Sequence, residues 1–210
     1  KVDAFGRMVK VASFLQRPKE SDFELVYQEH RYEPFWHVAC RARYVYERQR
    51  EYPMPLSGSE VKSITLDGKE YAVQNGRLLF TVTEKCREEP ERIRFIDGYT
   101  NQPNDTLSHY LRHPANEVPT EHLEELSQQG AIVVPAQVRA SAVVRNVLLE
   151  VLKSIQADVI LEDSVEIANV DLYYRPVYAF QFRWHSKEKE AIVEYDAVTG
   201  ELRTDGKTFQ

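Results

Sequence analysis

Hydrophobic and polar residues alternate with a period of two along much of this chain. From residue 36 the even positions read Trp36, Val38, Cys40, Ala42, Tyr44 and Tyr46, while the odd ones include His37, Arg41, Arg43 and Glu47. Successive side chains of a strand point to opposite faces, so the pattern predicts an antiparallel sheet with one packed face and one polar face. Upstream, Phe23, Leu25 and Tyr27 alternate with Glu24, Val26 and Gln28, and Pro34 marks a strand start or edge because it has no amide proton to donate. Downstream, Asp67-Gly68 and Asn75-Gly76 are hairpin turn signals set among Val61, Ile64, Leu66, the stretch 71–73 and the apolar run 78–82, which predicts a meander.

A period near 3.6 replaces the alternation at residues 140–155. Ala140, Val143, Val144, Val147, Leu148, Val151, Leu152 and Ile155 recur at steps of three and four, with Arg139, Asn146, Glu150 and Lys153 on other faces. After this helix, Val165 and Ile167 predict a strand, Tyr178, Phe180, Phe182 and Trp184 a second, and Ala191, Val193 and Tyr195 a third. The helix is expected to cover the sheet that carries Tyr178, Phe180, Phe182 and Trp184. Residues 1–17 hold a weaker helical pattern in Met8, Val9, Val11, Ala12, Phe14 and Leu15. Residues 86–136 change character: polar breaks at 88–92 and 99–105 frame a short strand at 93–96 and a short helix at 121–129 capped near Thr120. Exposed tips in such a connector are expected binding surfaces.

The two alternating regions correspond at an offset of 142 residues (165 − 23). Phe23-Glu24-Leu25 lies over Val165-Glu166-Ile167, Tyr32-Glu33-Pro34-Phe35-Trp36 over Tyr174-Arg175-Pro176-Val177-Tyr178, and Arg41 over Arg183. The apolar faces stay in phase, which a slip of one residue would destroy. The predicted fold is therefore α+β, with two related helix-plus-antiparallel-sheet units at 1–85 and 137–210, an internal duplication, joined by the partly structured connector 86–136.

The segment 178–202, an aromatic strand, a charged turn, the strand 191–195 and the closing Asp196-Ala197-Val198-Thr199-Gly200-Glu201-Leu202, resembles the end of a PepSY domain. With the preceding helix the resemblance covers residues 140–202. It implies a cystatin/PepSY-like module of helix and antiparallel sheet, a role in protein interaction or peptidase modulation, and a cell-envelope setting; it supplies no catalytic residues. In the first half, Asp67-Gly68-Lys69 sits in a different hairpin and no Thr-Gly follows Val73, so the resemblance is confined to the second unit.

Composition narrows the class. At 210 residues, with 42% hydrophobic and 29% charged residues, the chain can bury a core and is neither disordered nor fibrous. Twenty-seven basic against 33 acidic residues give a net charge of −6, so nucleic acid and anionic lipid lack the positive field they ordinarily require. No apolar run is long enough to span a membrane. Cys40 and Cys86 are too few for a four-cysteine metal site and are expected as reduced, small apolar residues. The chain opens on Lys1 rather than Met, as a processed or trimmed fragment would, and its compartment, cytoplasmic or cell-envelope, is open.

Three sets of residues carry candidate chemistry. His109 and His113, four apart, with His122 as a third ligand and Asp105 or Glu121 as a carboxylate, compose a zinc-type set that would support a metal-dependent hydrolase. Arg41, Arg43, Tyr44, Tyr46, Arg48 and Arg50 interleave basic and aromatic residues as a single-stranded nucleic-acid-binding surface does. His37, Arg41, Arg43, Arg183 and His185 share the polar faces of the two aromatic strands and compose a protein-recognition patch. No glycine-rich phosphate loop and no Gly-x-Ser-x-Gly elbow occurs, so no cofactor is expected. The sequence favours a noncatalytic protein-interaction or regulatory module of a larger bacterial protein or assembly, with a protein partner and no nucleic acid.

Overall fold

The computed structural model describes residues 20–185 and 188–203. The weak helical pattern at 1–17 lies outside them. The fold is α+β. Strand β1 (Phe23–Pro55) is followed by β2 (Ser63–Leu66), β3 (Lys69–Ala72), β4 (Arg77–Glu88) and β5 (Glu91–Asp97). A 3-10 helix (Asp105–Arg112), helix α1 (Thr120–Gln128), β6 (Ile132–Val133) and helix α2 (Ala140–Val151) lead to β7 (Val159–Trp184) and β8 (Lys189–Asp196). The hydrogen-bonded order is β4-β1-β7-β8, with β5 and β6 also on β1 and with β2-β3 as a separate hairpin.

The contacts divide into two compact units, neither of which is a continuous stretch of chain. Unit 1 holds Lys1–Val38, Arg94–Val143 and Asn169–Gln210, and unit 2 holds Ala39–Ile93 and Val144–Ala168. Both long strands contribute to both units, whereas the sequence pattern delimits successive blocks at 85 and 137.

In unit 2 the alternation of β1 has the expected consequence: Cys40, Ala42, Tyr44 and Tyr46 are buried, and Arg41 and Arg43 are exposed. Asp67 and Asn75, each followed by glycine, adopt positive φ at the tips of their hairpins, as two-residue turns of this hand require. β1 pairs antiparallel with β4 from Tyr44↔Glu88 to Pro55↔Arg77, and Pro90, which has no amide proton, interrupts the partner strand before β5. Helix α2 stops at Val151, short of the predicted residue 155. There the Tyr44 hydroxyl donates to the Val151 carbonyl at 3.0 Å and accepts from the Lys153 amide at 3.1 Å, satisfying polar groups that the end of a helix leaves open. This part of α2 thus packs with β1.

Unit 1 contains the predicted aromatic strand with an altered face. Phe182, Ala191, Val193 and Tyr195 form a cluster completed by Phe23, Leu25, Phe180 and Leu202, without a residue of α2. Tyr178 stays partly exposed with its ring stacked on His30, and Val177 beside it is buried. A second cluster packs Phe35, Phe95 and Leu107 with Tyr110 and Tyr173, so the 3-10 helix covers β1 at Phe35, on the face that the alternation assigns to polar residues.

One hydrogen-bond set occurs twice in unit 1. The Asp97 carboxylate accepts from the amides of Tyr99 (3.0 Å) and Thr100 (2.9 Å), and the Asp196 carboxylate from those of Val198 (2.8 Å) and Thr199 (3.0 Å). The Asp97 carbonyl accepts from Asn101 N–H and that of Asp196 from Gly200 N–H, with both donors at positive φ. Gly98 N–H donates to the Pro34 carbonyl at 2.9 Å and Ala197 N–H to the Pro176 carbonyl at 3.0 Å. Asn104 closes back to Phe95, and Arg203 to Glu194, at 2.8 Å each. The turns are 99 residues apart (196 − 97), and the prolines they meet are 142 apart (176 − 34).

Candidate functional site

Unit 2 presents a groove of about 530 Å3 lined by Arg41, Ala42, Arg43, Glu89, Glu91, Glu162, Ser164 and Glu166. Two neighbouring stretches of sheet build it. Odd positions of β1 point Arg41 and Arg43 away from the buried even face, and β7 brings Glu162 and Glu166 to meet them. Arg41 grips Glu166 with two hydrogen bonds, at 2.9 and 3.1 Å, while Arg43 lies 3.4 Å from Glu89 and 3.2 Å from Glu162. Glu89 also accepts from Arg87 at 2.6 Å. The Arg41 guanidinium holds the Glu166 carboxyl below the usual carboxylate range, and Glu166 in return raises Arg41. Two arginines facing four glutamates leave the groove itself acidic.

Of the predicted patch, Arg41 and Arg43 share this groove, and the other members belong to unit 1. His37 is largely buried, with Nδ1 3.2 Å from Asp171 Oδ2 and its ring stacked on Phe95 at 5.0 Å. It is thus part of an aromatic cluster where the alternation predicts an open polar face. Arg183 donates twice to Glu190 Oε1, at 2.9 and 2.8 Å, and exposed His185 lies 3.5 Å from Glu24. Each member of the predicted patch therefore faces a carboxylate.

The histidine set is not brought together. His109 Nδ1 faces the Thr106 carbonyl and its ring packs on Tyr110, His113 follows the 3-10 helix, and His122 lies 3.8 Å from Glu125 of its own helix. No group of three or more potential metal ligands occurs among the described residues. Of the basic-aromatic stretch, Tyr44 and Tyr46 are buried and so offer no face on which bases could stack. Tyr46 Oη donates to Glu88 at 2.7 Å, and this carboxylate pushes the phenol up to about 12. Arg48 and Arg50 both point at Glu84. No helix of the described residues is long and apolar enough to cross a membrane.

Unit 1 holds a charged network that the alternation gives no reason to expect. Arg175, only 7% exposed, donates to Glu33 at 2.9 Å and lies 3.4 Å from Asp97. Glu33 also accepts from Arg203 at 2.7 Å and from Arg31 at 2.8 Å, and Arg31 reaches Glu29 and Glu194 as well. Burial alone would raise the Glu33 carboxyl; Arg203 and Arg175 outweigh it and hold the group below the usual range. For Arg175 burial wins, and its guanidinium is shifted down. The sequence contains one signal for this pair: Glu33 and Arg175 stand at corresponding positions of the 142-residue offset, each before a proline.

On the other side of the unit 2 groove, β7 is an open edge. Among the described residues no strand pairs with residues 159–168 on the side away from β1. Val159, Ile160, Leu161, Val165 and Ile167 are exposed there, Leu161 to 60%. No family model matches the chain, and neither a curated protein nor a solved structure matches it.

Proposed function

We propose that this chain is a noncatalytic protein-interaction or regulatory module of a larger bacterial protein or assembly, and that it binds its partner on the sheet of unit 2. The open, apolar edge of β7 at residues 159–168 carries this reading. A strand edge with unpaired backbone groups and exposed β-branched side chains is a template for another chain, and apolar surface rimmed by charge is characteristic of contact sites. The groove at Arg41 and Arg43 borders this edge through Glu162, Ser164 and Glu166, and its ion pairs set which charges a partner can bring.

The module is read as two related cystatin/PepSY-like units. The twin turns at Asp97 and Asp196 support this duplication, since they repeat the same acceptors, the same position of positive φ and the same proline contact. The offset falls from 142 to 99 between the prolines and the turns, which a stretch longer by 43 residues (142 − 99) between Pro34 and Asp97 accounts for.

The test is affinity capture from extract of the source organism with the full chain as bait, beside metal analysis of the same preparation. A stoichiometric protein retained by the wild type and lost from Leu161→Lys is the expected result. Near-stoichiometric zinc without a protein partner would overturn the reading in favour of a metal site built from His109, His113 and His122.

A further inference from the structure

The direction of the backbone groups along β7 allows the binding mode and the class of partner to be named. The Asp158 amide donates to the Glu47 carbonyl of β1 at 2.9 Å, so residue 158 turns its backbone toward β1. Ion pairs from Arg43 to Glu162 and from Arg41 to Glu166 run in opposite order along the two strands, which makes the pairing antiparallel. In such a ladder, residues alternate between turning both backbone groups to the neighbour and turning both away. Residues 159, 161 and 163 therefore direct their amides and carbonyls to the unpaired side.

Natural edge strands are ordinarily blunted by lysine, proline or a covering element. Residues 159–168 read Val-Ile-Leu-Glu-Asp-Ser-Val-Glu-Ile-Ala, without lysine, arginine, proline or glycine. Their charges are all negative. Glu162 and Glu166 are shared with arginines of β1, and Asp163 is exposed on the residue whose backbone faces outward. A second copy of this edge would bring acid against acid, which is destabilising across a strand pair. A strand alternating apolar residues with lysine or arginine would meet Val159 and Leu161 on one side and the acidic side chains on the other.

Resting on the protein-interaction reading above, we propose that the outer edge of β7 at residues 159–168 accepts an extended, basic-apolar segment of a partner polypeptide as an added antiparallel or parallel strand. Backbone hydrogen bonds supply the affinity, and the alternate side chains supply the choice.

The probe is a synthetic capped heptapeptide alternating lysine and valine, titrated into the full chain with backbone amide shifts and exchange as readout. Its controls are the glutamate-valine counterpart and a lysine-valine peptide of equal charge with a central proline. The expected result is binding of the uninterrupted basic peptide, slowed exchange of the 159, 161 and 163 amides, and affinity at least tenfold lower for both controls. Asp163→Pro removes an outward amide without touching the β1 ladder and should weaken the peptide at least tenfold. Leu161→Lys, which sets a cation on the edge, should do the same should Asp163→Pro not fold. Equal binding of the proline-interrupted peptide, no binding of the basic peptide, or self-association of the chain abolished by Asp163→Pro would each overturn strand addition by a basic partner. A partner captured equally well by wild type and Asp163→Pro would overturn strand addition alone and leave the protein-interaction reading standing.

Discussion

Replacing Asp196 by alanine removes the acceptor of two turn amides, those of Val198 at 2.8 Å and Thr199 at 3.0 Å. Asp196 is a buried carboxylate, and hydrogen bonds to charged groups contribute about 1.5–3 kcal/mol each. Val198 is partly exposed, so water recovers some of the loss, and the expected cost is about 2–4 kcal/mol. For a chain of this size that lowers Tm by about 5–15 °C. Asp196→Asn keeps a carbonyl oxygen in the same place and should recover more than half of the loss. The same pair of substitutions at Asp97 should behave differently. In Asp97→Asn the side-chain oxygen would still receive the Tyr99 and Thr100 amides, but the neutral group would withdraw a counter-charge from buried Arg175, 3.4 Å away. Recovery by asparagine should therefore be smaller at 97 than at 196. Urea and thermal unfolding of the four variants, followed by circular dichroism, measure all of this. An Asp196→Ala variant within about 0.5 kcal/mol of wild type, or asparagine as damaging as alanine at 196, would refute the role assigned to the turn.

Glu33 has its folded pKa lowered, so its contribution is complete above the ordinary glutamate range and is lost as pH falls through that range toward the folded value. Glu33→Gln should cost about 2–4 kcal/mol at neutral pH, and the gap from wild type should narrow on acidification in pH-dependent urea melts; a constant gap would count against the network. Gly98→Ala would set a Cβ 2.8 Å from the Pro34 carbonyl oxygen, and a cost of about 1–3 kcal/mol is expected in the same assay. Residue 197, which makes the corresponding contact with Pro176, is already alanine, so Ala197→Gly should not stabilise the protein. Cys40 is buried and its thiol is pushed up by desolvation, whereas Cys86 is partly exposed. A thiol reagent should accordingly titrate one group in the native protein and the second only on unfolding, and rapid reaction of both would contradict the packing of β1.

Much of this architecture is legible in the sequence where one local rule acts alone. The period of two identifies the buried even face of β1, and Asp-Gly and Asn-Gly identify both tight turns. The stripe on α2 predicts a helix but not which strand it meets, because periodicity describes one surface and says nothing of its partner. The alternation assigns His37 to a solvated face because its neighbours at odd positions are charged; the 3-10 helix at residues 105–112, which covers that side at Phe35, comes only after four further strands. The turn at Asp97 is hidden in the sequence for two reasons: Asn101 takes the positive φ that Gly200 takes in the other turn, and the longer stretch after Pro34 carries it well beyond Val73, where a Thr-Gly would mark it. Arg175 cannot be recognised as buried from alternation, since a charge in a strand pattern reads as solvent-facing until its counter-charge is located. The sequence names the groove cations but not the carboxylates that hold them, and the open edge of β7 depends on which strands pair, which no local pattern contains.

The most direct test of a binding edge in unit 2 is residue-resolved amide exchange along β7 in the full chain, without added ligand. The 158, 160 and 162 amides, turned toward β1, should be protected, and those of 159, 161 and 163 should exchange at rates near those of unstructured peptide. Uniform protection across these six positions would mean that the edge is already occupied, and would contradict the account.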